Sequence, residues 1–267
     1  MAETLAFQPH RFRAAARHYL SGRPAYAPRL IHMVARLTGL APDARVLDLG
    51  CGPGVLSGAF APLAGAVVAM DPEPEMLRIA EEAFAAAGHI SFVRGSSYDL
   101  SSALGRFHLV TMGRSFHWMD RAETLRRLDG MVEPDGALAL FDSDHLDVPA
   151  NAWTADYRAL LRRYASDDTT HARRRGGDWV RHEAVLLDSA FSELDHVSAI
   201  DRRQVSIEQL VDRAFSRSST APDRLGDRAP KLAAEIEALL RPVADDGMLT
   251  EVVATSALLA RRPGTAA

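Results

Sequence analysis

The residues best suited to do chemistry lie close together early in the chain. Asp48 is followed by glycines at alternate positions, Gly50, Gly52 and Gly54, with Cys51 and Pro53 between them, and Asp71 stands seventeen residues past Gly54. Glycine adopts positive φ freely and carries no Cβ, so this stretch can turn sharply and bring its backbone close to a ligand. A carboxylate where Asp71 falls is placed to accept both hydroxyls of a ribose. Two ligands compete for such a unit. A dinucleotide needs G-x-G-x-x-G and a pyrophosphate at a helix N-terminus, whereas here the glycines alternate. Asp48 just before them would repel a pyrophosphate and suits a cofactor with a cationic amino group. Cys51, the single cysteine, can form no intrachain disulfide. Its place inside the glycine loop favours a small residue in backbone contact over a nucleophile.

The stretch Val46 to Gly54, VLDLGCGPG, resembles the D-x-G-x-G-x-G motif of class I S-adenosylmethionine-dependent methyltransferases, with Asp71 in register. Upstream, Tyr19, Arg23 and Tyr26 form Y-x-x-x-R-P-x-Y, similar to the small-molecule branch of that family, the trans-aconitate methyltransferase-like group. The resemblance implies that this segment folds over the cofactor, with Arg23 pairing the methionine carboxylate and Tyr19 facing the sulfonium. It implies further cofactor contacts from Asp48, Gly50, Cys51, Gly52, Asp71, Pro72 and Met76. In Gly95-Ser96-Ser97-Tyr98-Asp99 it places Ser97 and Tyr98 at the adenine ring. Ser96 replaces the acid usual in relatives, and Asp99 either serves instead or is a plain turn carboxylate. Gly113 and Arg114 follow as cofactor contacts, and Ser115-Phe116-His117-Trp118 is like the family segment that borders the methyl-transfer site.

His117 is the residue of that segment able to take a proton near neutrality, and it is the expected catalytic residue. Trp118, His145 and Trp179 are the expected substrate contacts, and His145 and His171 are the alternative bases. Asp142, Asp144 and His145 could also suggest a metal, but no second cluster supports one, and none is expected. Arg173 to Arg175, before Gly176 and Gly177, read as a solvated loop.

These residues need a scaffold, and the hydrophobic pattern supplies it. Short apolar runs at 46–49, 66–70, 90–94, 109–112 and 137–141 alternate with helical patterns at 55–61, 74–87 and 122–131. That alternation argues for a doubly wound α/β sheet. Pro134-Asp135-Gly136 reads as a turn into the fifth strand. Two helical stretches, 11–20 and 28–38, precede the first strand. A helix is expected at 152–164, a strand at 197–207, helices at 208–216 and 230–240, and a last strand at 252–260. The resemblance implies seven strands, the last antiparallel and set between the fifth and sixth. Residues 1–141 are expected to form the N-terminal helices and the Rossmann-like, cofactor-binding half. Residues 142–267 complete the same domain, with helical lid insertions at about 142–192 and 208–245.

The bulk composition narrows the partners. The 267 residues are 47% apolar and 25% charged, with a net charge of −4. No basic excess points to nucleic acid. No apolar run approaches the ~20 residues that span a bilayer, so no membrane partner is expected. The N-terminus lacks a signal peptide's apolar centre, and a cytoplasmic monomer or homodimer is expected. The function expected is transfer of a methyl group from S-adenosylmethionine to a small molecule, at oxygen or nitrogen, with a carboxylate or a secondary metabolite as acceptor. A non-catalytic S-adenosylmethionine-binding protein is the alternative. A nicotinamide-dependent dehydrogenase is disfavoured by Asp48 and the glycine spacing.

Overall fold

The computed structural model describes residues 12–165 and 179–264. Its seven strands are β1 (Arg45–Leu49), β2 (Ala66–Asp71), β3 (Ile90–Arg94), β4 (Phe107–Gly113), β5 (Val132–His145), β6 (Glu193–Ser206) and β7 (Met248–Arg261). They form one sheet in the order β3-β2-β1-β4-β5-β7-β6. β1 to β5 pair in parallel, and β7 runs antiparallel to both β5 and β6. The chain therefore winds outward in both directions from the β1–β4 boundary. The carboxyl ends of β1 and β4 open there into the crevice where such sheets bind ligands.

Residue alternation decides which face each side chain covers. Val46, Val67, Leu109 and Ala139 pack on one face with Leu30, Ile31 and Val34 of α2 (Pro28–Leu37) and Leu56 and Phe60 of α3 (Val55–Phe60). Leu47, Leu49, Met70, Val110 and Met112 pack on the other. There they meet Leu125 and Leu128 of α5 (Arg121–Asp129) and Leu186 of α7 (His182–Leu187). Burying each of these side chains stabilises the fold by roughly 1.5–3 kcal/mol relative to exposure. Both faces of β1 and β2 are covered, which is why those strands read as continuous apolar runs.

The first helix of the pattern is shorter than its apolar spacing predicts. Among the described residues it consists of a 3₁₀ turn, Ala16–His18, and α1 (Tyr19–Gly22). α4 (Pro74–Ala83) stops short of Ala87, and α5 begins at Arg121 because Asp120 caps it, accepting the Glu123 N–H at 3.1 Å. Pro134-Asp135-Gly136 is a bulge within β5, not a separate turn. Phe107 faces Val132 and Leu109 faces Ala137, so three extra residues of β5 are absorbed there. The C-terminal strands run longer than expected. β5 reaches His145 rather than 141, and β6 and β7 pair over their full lengths.

The overhang of β5, β6 and β7 carries a helical cap. It comprises α6 (Trp153–Tyr164), α8 (Ile207–Phe215), α9 (Pro222–Leu225) and α10 (Arg228–Leu240). The cap has its own apolar core, in which Leu161, Leu210, Leu232 and Ile236 meet Leu249 of β7. α1 is fastened to the cap rather than to the sheet. His18 Nδ1 and Ser21 Oγ both bond the Asp212 carboxylate, at 2.7 and 2.5 Å, and Arg213 Nε donates to the Gly22 carbonyl at 2.9 Å. A Cβ on Gly22 would fall on the α8 backbone at Asp212 and Arg213. Arg173 to Arg175 and His171 lie outside the described residues. Among the described residues, no helix is long and apolar enough to cross a membrane.

Candidate functional site

The glycine loop is built on two buried carboxylates. Asp48 lies in β1 and is 1% exposed. Its Oδ2 accepts the backbone N–H of Ser57 at 2.9 Å and the Ser57 hydroxyl at 2.6 Å, and its Oδ1 accepts the Thr111 hydroxyl at 3.1 Å. Asp48 thus ties β1 to β4 and to the start of α3 from beneath the loop. Burial raises its pKa to about 6, against the pull of Ser57 and Thr111. Asp71 ends β2. It accepts the N–H of Gly52 at 2.8 Å on Oδ2 and that of Glu73 at 2.9 Å on Oδ1. Burial raises its pKa to about 6 as well, opposed by those two N–H groups.

The three glycines divide the work. All have positive φ, 70°, 55° and 81° at Gly50, Gly52 and Gly54. A Cβ on Gly50 would lie 2.6 Å from Ser115 Cβ, and one on Gly54 would lie 3.0 Å from the Phe84 ring. Those two serve close packing. A Cβ on Gly52 would meet only Met76 Sδ, 3.9 Å away. Gly52 is therefore the glycine that leaves space above the backbone, beside Asp71. Met76 is buried and Pro72 half-buried along the same side. Cys51 is buried, and burial pushes its thiol pKa up, ahead of repulsion from Asp71 and Asp48; it is no poised nucleophile.

After β3, Ser97 is buried and Tyr98 is 45% exposed. Asp99 closes a capping box with Ser96, accepting its N–H and its hydroxyl, each at 2.8 Å. Those bonds, backbone first, lower its pKa, so its carboxylate serves the turn.

Before α2, Arg23 and Tyr19 stand together, the guanidinium carbon 5.5 Å from the ring centroid. Arg23 Nε donates to Ser216 Oγ at 2.8 Å. Gly113 ends β4 tightly packed, since a Cβ there would meet Leu56 at 2.9 Å and Tyr26 Oη at 3.1 Å. Arg114 follows with φ 56°, a left-handed conformation that a non-glycine residue seldom adopts. Its Nε donates to Tyr26 Oη at 3.1 Å. Both arginines open on a cavity of about 360 Å³, floored by Ser143, Asp144, His145 and Val253 of β5 and β7 and roofed by α6 and α8.

Among the described residues, His145 is the histidine of this cavity. Its Nε2 lies 2.9 Å from Glu251 Oε2, and its Nδ1 lies 3.3 Å from Arg158 Nη2. Glu251, 1% exposed, is also held by Arg213 through two bonds of 2.7 and 3.1 Å and by Arg203 Nε at 2.7 Å. Burial would raise the Glu251 pKa, but His145, Arg213 and Arg203 hold it well below the usual carboxylate range. An ionised Glu251 accepts, so Nε2 carries the hydrogen and Nδ1 presents its lone pair.

His117 stands elsewhere. It is buried in the turn after β4, its ring 4.8 Å from Trp118 and 6.5 Å from His182. Trp179 lies against the Arg121 guanidinium at 4.2 Å and His182 at 6.2 Å. His117, Trp118 and Trp179 thus share an aromatic cluster and form no part of the cavity wall. The Asp-x-Asp-His stretch does not converge on a metal position: Asp144 pairs with Arg158 and His145 with Glu251. Glu251, Arg213, Arg158 and Arg162 were not legible as site residues. The one available signal was period two in β7, which puts Glu251 in phase with buried Leu249 and Val253.

Comparison with known proteins agrees with this geometry. Residues 46–136 match the model of a methyltransferase domain family. An uncharacterized methyltransferase of Mycobacterium tuberculosis is 31% identical over 207 residues, covering 78% of this chain and 76% of that protein. A malonyl-[acyl-carrier protein] O-methyltransferase of Pseudescherichia vulneris is 30% identical over 164 residues, covering 59% of this chain and 64% of that one. The crystal structure of a SAM-dependent methyltransferase from Geobacter sulfurreducens, in complex with S-adenosyl-L-homocysteine, superposes with a TM-score of 0.51 at 17% identity, covering 97% of this chain and 100% of that chain. The chain belongs to the class I S-adenosylmethionine-dependent methyltransferase family and is an enzyme of that type.

The residues fit the family's cofactor. An ionised carboxylate offers about four lone-pair sites, and Gly52 and Glu73 occupy two of those on Asp71, leaving capacity for a ribose diol. Space lies above Gly52, and an exposed aromatic ring, Tyr98, borders the same end of the sheet.

Proposed function

We propose that the protein methylates a small molecule at oxygen or nitrogen, with the acceptor seated in the cavity between the β5–β7 overhang and the helical cap. The observation that carries this reading is the cavity itself. Its volume, about 360 Å³, suits a compact organic molecule. Bound S-adenosylmethionine supplies a methyl carbon on a sulfonium, a leaving group that needs no protonation. The chain's own residues then have three tasks: binding, alignment and exclusion of water.

In this reading Asp71 accepts the ribose hydroxyls, and Pro72 and Met76 wall the nucleoside. Ser97 and Tyr98 flank the adenine. Gly50, Cys51 and Gly52 give the loop its path, with Asp48 acting through the loop it props. Arg23 pairs with the methionine carboxylate, beside Tyr19, and Gly113 and Arg114 border the place where donor and acceptor meet. For an acceptor that must lose a proton, His145 Nδ1 receives it once Arg158 Nη2 gives up that lone pair and bonds Asp144 alone, with Glu251 holding the ring through Nε2. His117, with Trp118 and Trp179, would act from the aromatic cluster, as a second base or by shaping the entrance.

The protein is proposed as a monomer or homodimer in the cytoplasm, with no nucleic acid partner. The test is a methyl-transfer screen of the purified protein against small acids, phenols and amines, read as S-adenosylhomocysteine formed and acceptor mass gained by one methylene. Tight binding of the cofactor with no product from any acceptor would favour a non-catalytic binding protein instead.

A further inference from the structure

The amino-terminal ends of β4 and β5 bring together a second group of polar side chains, at the opposite end of the sheet from the glycine loop. His108 is the second residue of β4 and is 8% exposed. Opposite it, the pairing passes from Phe107–Val132 to Leu109–Ala137, so this one residue of β4 faces four of β5. The bulge made by those four, Glu133 to Gly136, folds closely round it. A Cβ on Gly136 would lie 2.7 Å from the His108 carbonyl oxygen. Bulges of this kind re-aim side chains. Here one ligand atom each from His108, Glu133 and Asp135 lies within 4.8 Å of the other two.

The tautomer of His108 is set from behind. Its Nε2 lies 2.6 Å from the Thr38 carbonyl, at the end of α2. A carbonyl only accepts, so Nε2 carries the hydrogen, and the neutral ring presents a lone pair at Nδ1. That lone pair meets another acceptor: Nδ1 lies 3.3 Å from Glu133 Oε2. Asp135 adds a second carboxylate, which makes no hydrogen bond or ion pair among the described residues. The neighbouring cation, Arg262, donates to the Asp129 carboxylate at 2.9 Å and to the Glu133 carbonyl at 2.8 Å. Three acceptors thus converge with no donor between them. A proton on Nδ1 would supply one, but charge-assisted N–H···O bonds are shorter, about 2.7–2.9 Å. A separation of 3.3 Å matches instead the edge of a coordination tetrahedron. Ligands at about 2.0–2.2 Å from a zinc ion stand roughly 3.3–3.5 Å apart.

We propose that His108 Nδ1, Glu133 and Asp135 form a binding site for a divalent transition metal of the zinc class. Imidazole with carboxylates suits that class, whereas Mg²⁺ and Ca²⁺ take oxygen ligands. A ligating histidine commonly donates its other N–H to a backbone carbonyl, which Thr38 supplies. Glu133 is half-buried and Asp135 exposed, so the ion enters from solvent and Asp135 closes on it by side-chain rotation. Water fills the fourth position. The site lies at the amino ends of the strands, away from the crevice. The ion joins β4, β5 and the end of α2, and it acts on the stability of the folded chain.

The probe is zinc chloride, added to the full-length protein after dialysis against EDTA. Calorimetry at about pH 7.5, above the ~6.5 of an unperturbed imidazole, should show one zinc per chain with micromolar affinity. Mg²⁺ and Ca²⁺ should not compete for it. Zinc should raise the melting temperature, and EDTA should reverse the rise. Asp135→Asn and Glu133→Gln should each weaken zinc by ~10-fold or more, since even an outer-shell partner is worth that much. Asp135 is exposed, so its variant should melt like the wild type when zinc is absent. His108→Gln should abolish the site, and the two carboxylate variants carry the test if that one does not fold. The chain has ten histidines, so zinc can also be held elsewhere. Equal zinc affinity in the wild type and in the Glu133→Gln, Asp135→Asn double variant would place the ion at other residues and overturn the proposal. Displacement of zinc by Mg²⁺ or Ca²⁺ would overturn the metal class. Absence of zinc binding would overturn the site altogether and leave a proton on Nδ1 as the cation between His108 and Glu133.

Discussion

The glycine-loop site and the cavity under the cap differ in charge: buried carboxylates define the first wall, and arginines line the second. On the glycine-loop side, Asp48 and Asp71 are buried carboxylates with pKa values raised to about 6. On the cavity side, Arg23 is a guanidinium pushed down to about 9. Among the described residues, no ion pair joins Asp48 or Asp71 to an arginine. Desolvation disfavours the charged form of each, even at Asp48, which already accepts three hydrogen bonds. Asp71, bonded by two N–H groups, keeps capacity for further donors, which hydroxyls can supply. In the proposed function the first wall belongs to the methyl donor and the second to the acceptor.

The largest effect should come from comparing the two histidines. His145 faces the basic wall, whereas His117 sits in the aromatic cluster. With an acceptor that must lose a proton, His145→Gln should lower kcat by ~10²–10⁴, the usual range for a general base. Substitution of His117 by Gln should affect turnover less. Stopped assays of S-adenosylhomocysteine formation across pH 5.5–8.5 read this directly. The reverse ranking would return the base to the β4 turn and leave the cavity histidine as a binding group.

Next is Glu251, which holds the basic wall together. Glu251→Gln leaves Arg213, 6% exposed, without its counter-charge, with Arg203 less affected because it is partly solvated. Removing one partner of a buried pair typically destabilises by about 3–5 kcal/mol. Urea unfolding should show that loss with an unchanged slope. A loss below about 1 kcal/mol would mean that water reaches the network and that the wall is not truly desolvated.

The two walls also differ in how they could be read from sequence. The acidic wall is local: Asp48, the glycines and Asp71 span 24 residues of one βαβ unit, and its strand–loop–helix order follows from apolar runs and glycine spacing. Even there, neither the roles of Gly50 and Gly54 in packing against Ser115 and Phe84, nor the occupation of Asp48 by Ser57 and Thr111, could be seen before the fold existed. The basic wall draws on residues from 23 to 253, carried by two strands, two helices and the loops around Arg23, Arg114 and Arg217. Its arginines look like solvated helix residues in the sequence, since α6 and α8 are amphipathic and nothing local says which polar face meets the sheet. The length of β5 mattered most. The apolar run ends at Phe141, but pairing with β7 extends the strand to His145 and brings the ring to Glu251, 106 residues away. Long-range antiparallel pairing stabilises polar residues in a strand that propensity alone would end.

On the acidic wall, Asp71→Asn should weaken S-adenosylhomocysteine binding by about 1.5–3 kcal/mol, the worth of a charge-assisted hydrogen bond. Calorimetric titration measures it. Unchanged affinity would detach the ribose from β2 and remove the basis for calling this wall the donor side.

The smallest signal, about 1.4 kcal/mol per pH unit, tests whether both buried acids belong to that wall in the same way. Each has a folded pKa of about 6, above the ~3.9 of an unfolded Asp. Between those values the folded protein binds more protons than the unfolded chain. Each acid therefore makes stability fall as pH rises from about 4 to about 6 and level off above. Ligand affinity should run the other way: a diol on Asp71 favours the ionised carboxylate, so S-adenosylhomocysteine should bind more tightly as pH rises toward about 6, with a proton released on binding. Asp48 is enclosed by Ser57 and Thr111 and has no such link. Asp48→Asn should remove part of the stability slope and leave the ligand slope intact, whereas Asp71→Asn should flatten both. Titrations at pH 5–7.5 in two buffers of different ionisation enthalpy, alongside melting curves, would show this. If Asp48→Asn instead abolished the ligand slope, the proton released on binding would come from beneath the loop, and Asp48 rather than Asp71 would be the group that senses the cofactor.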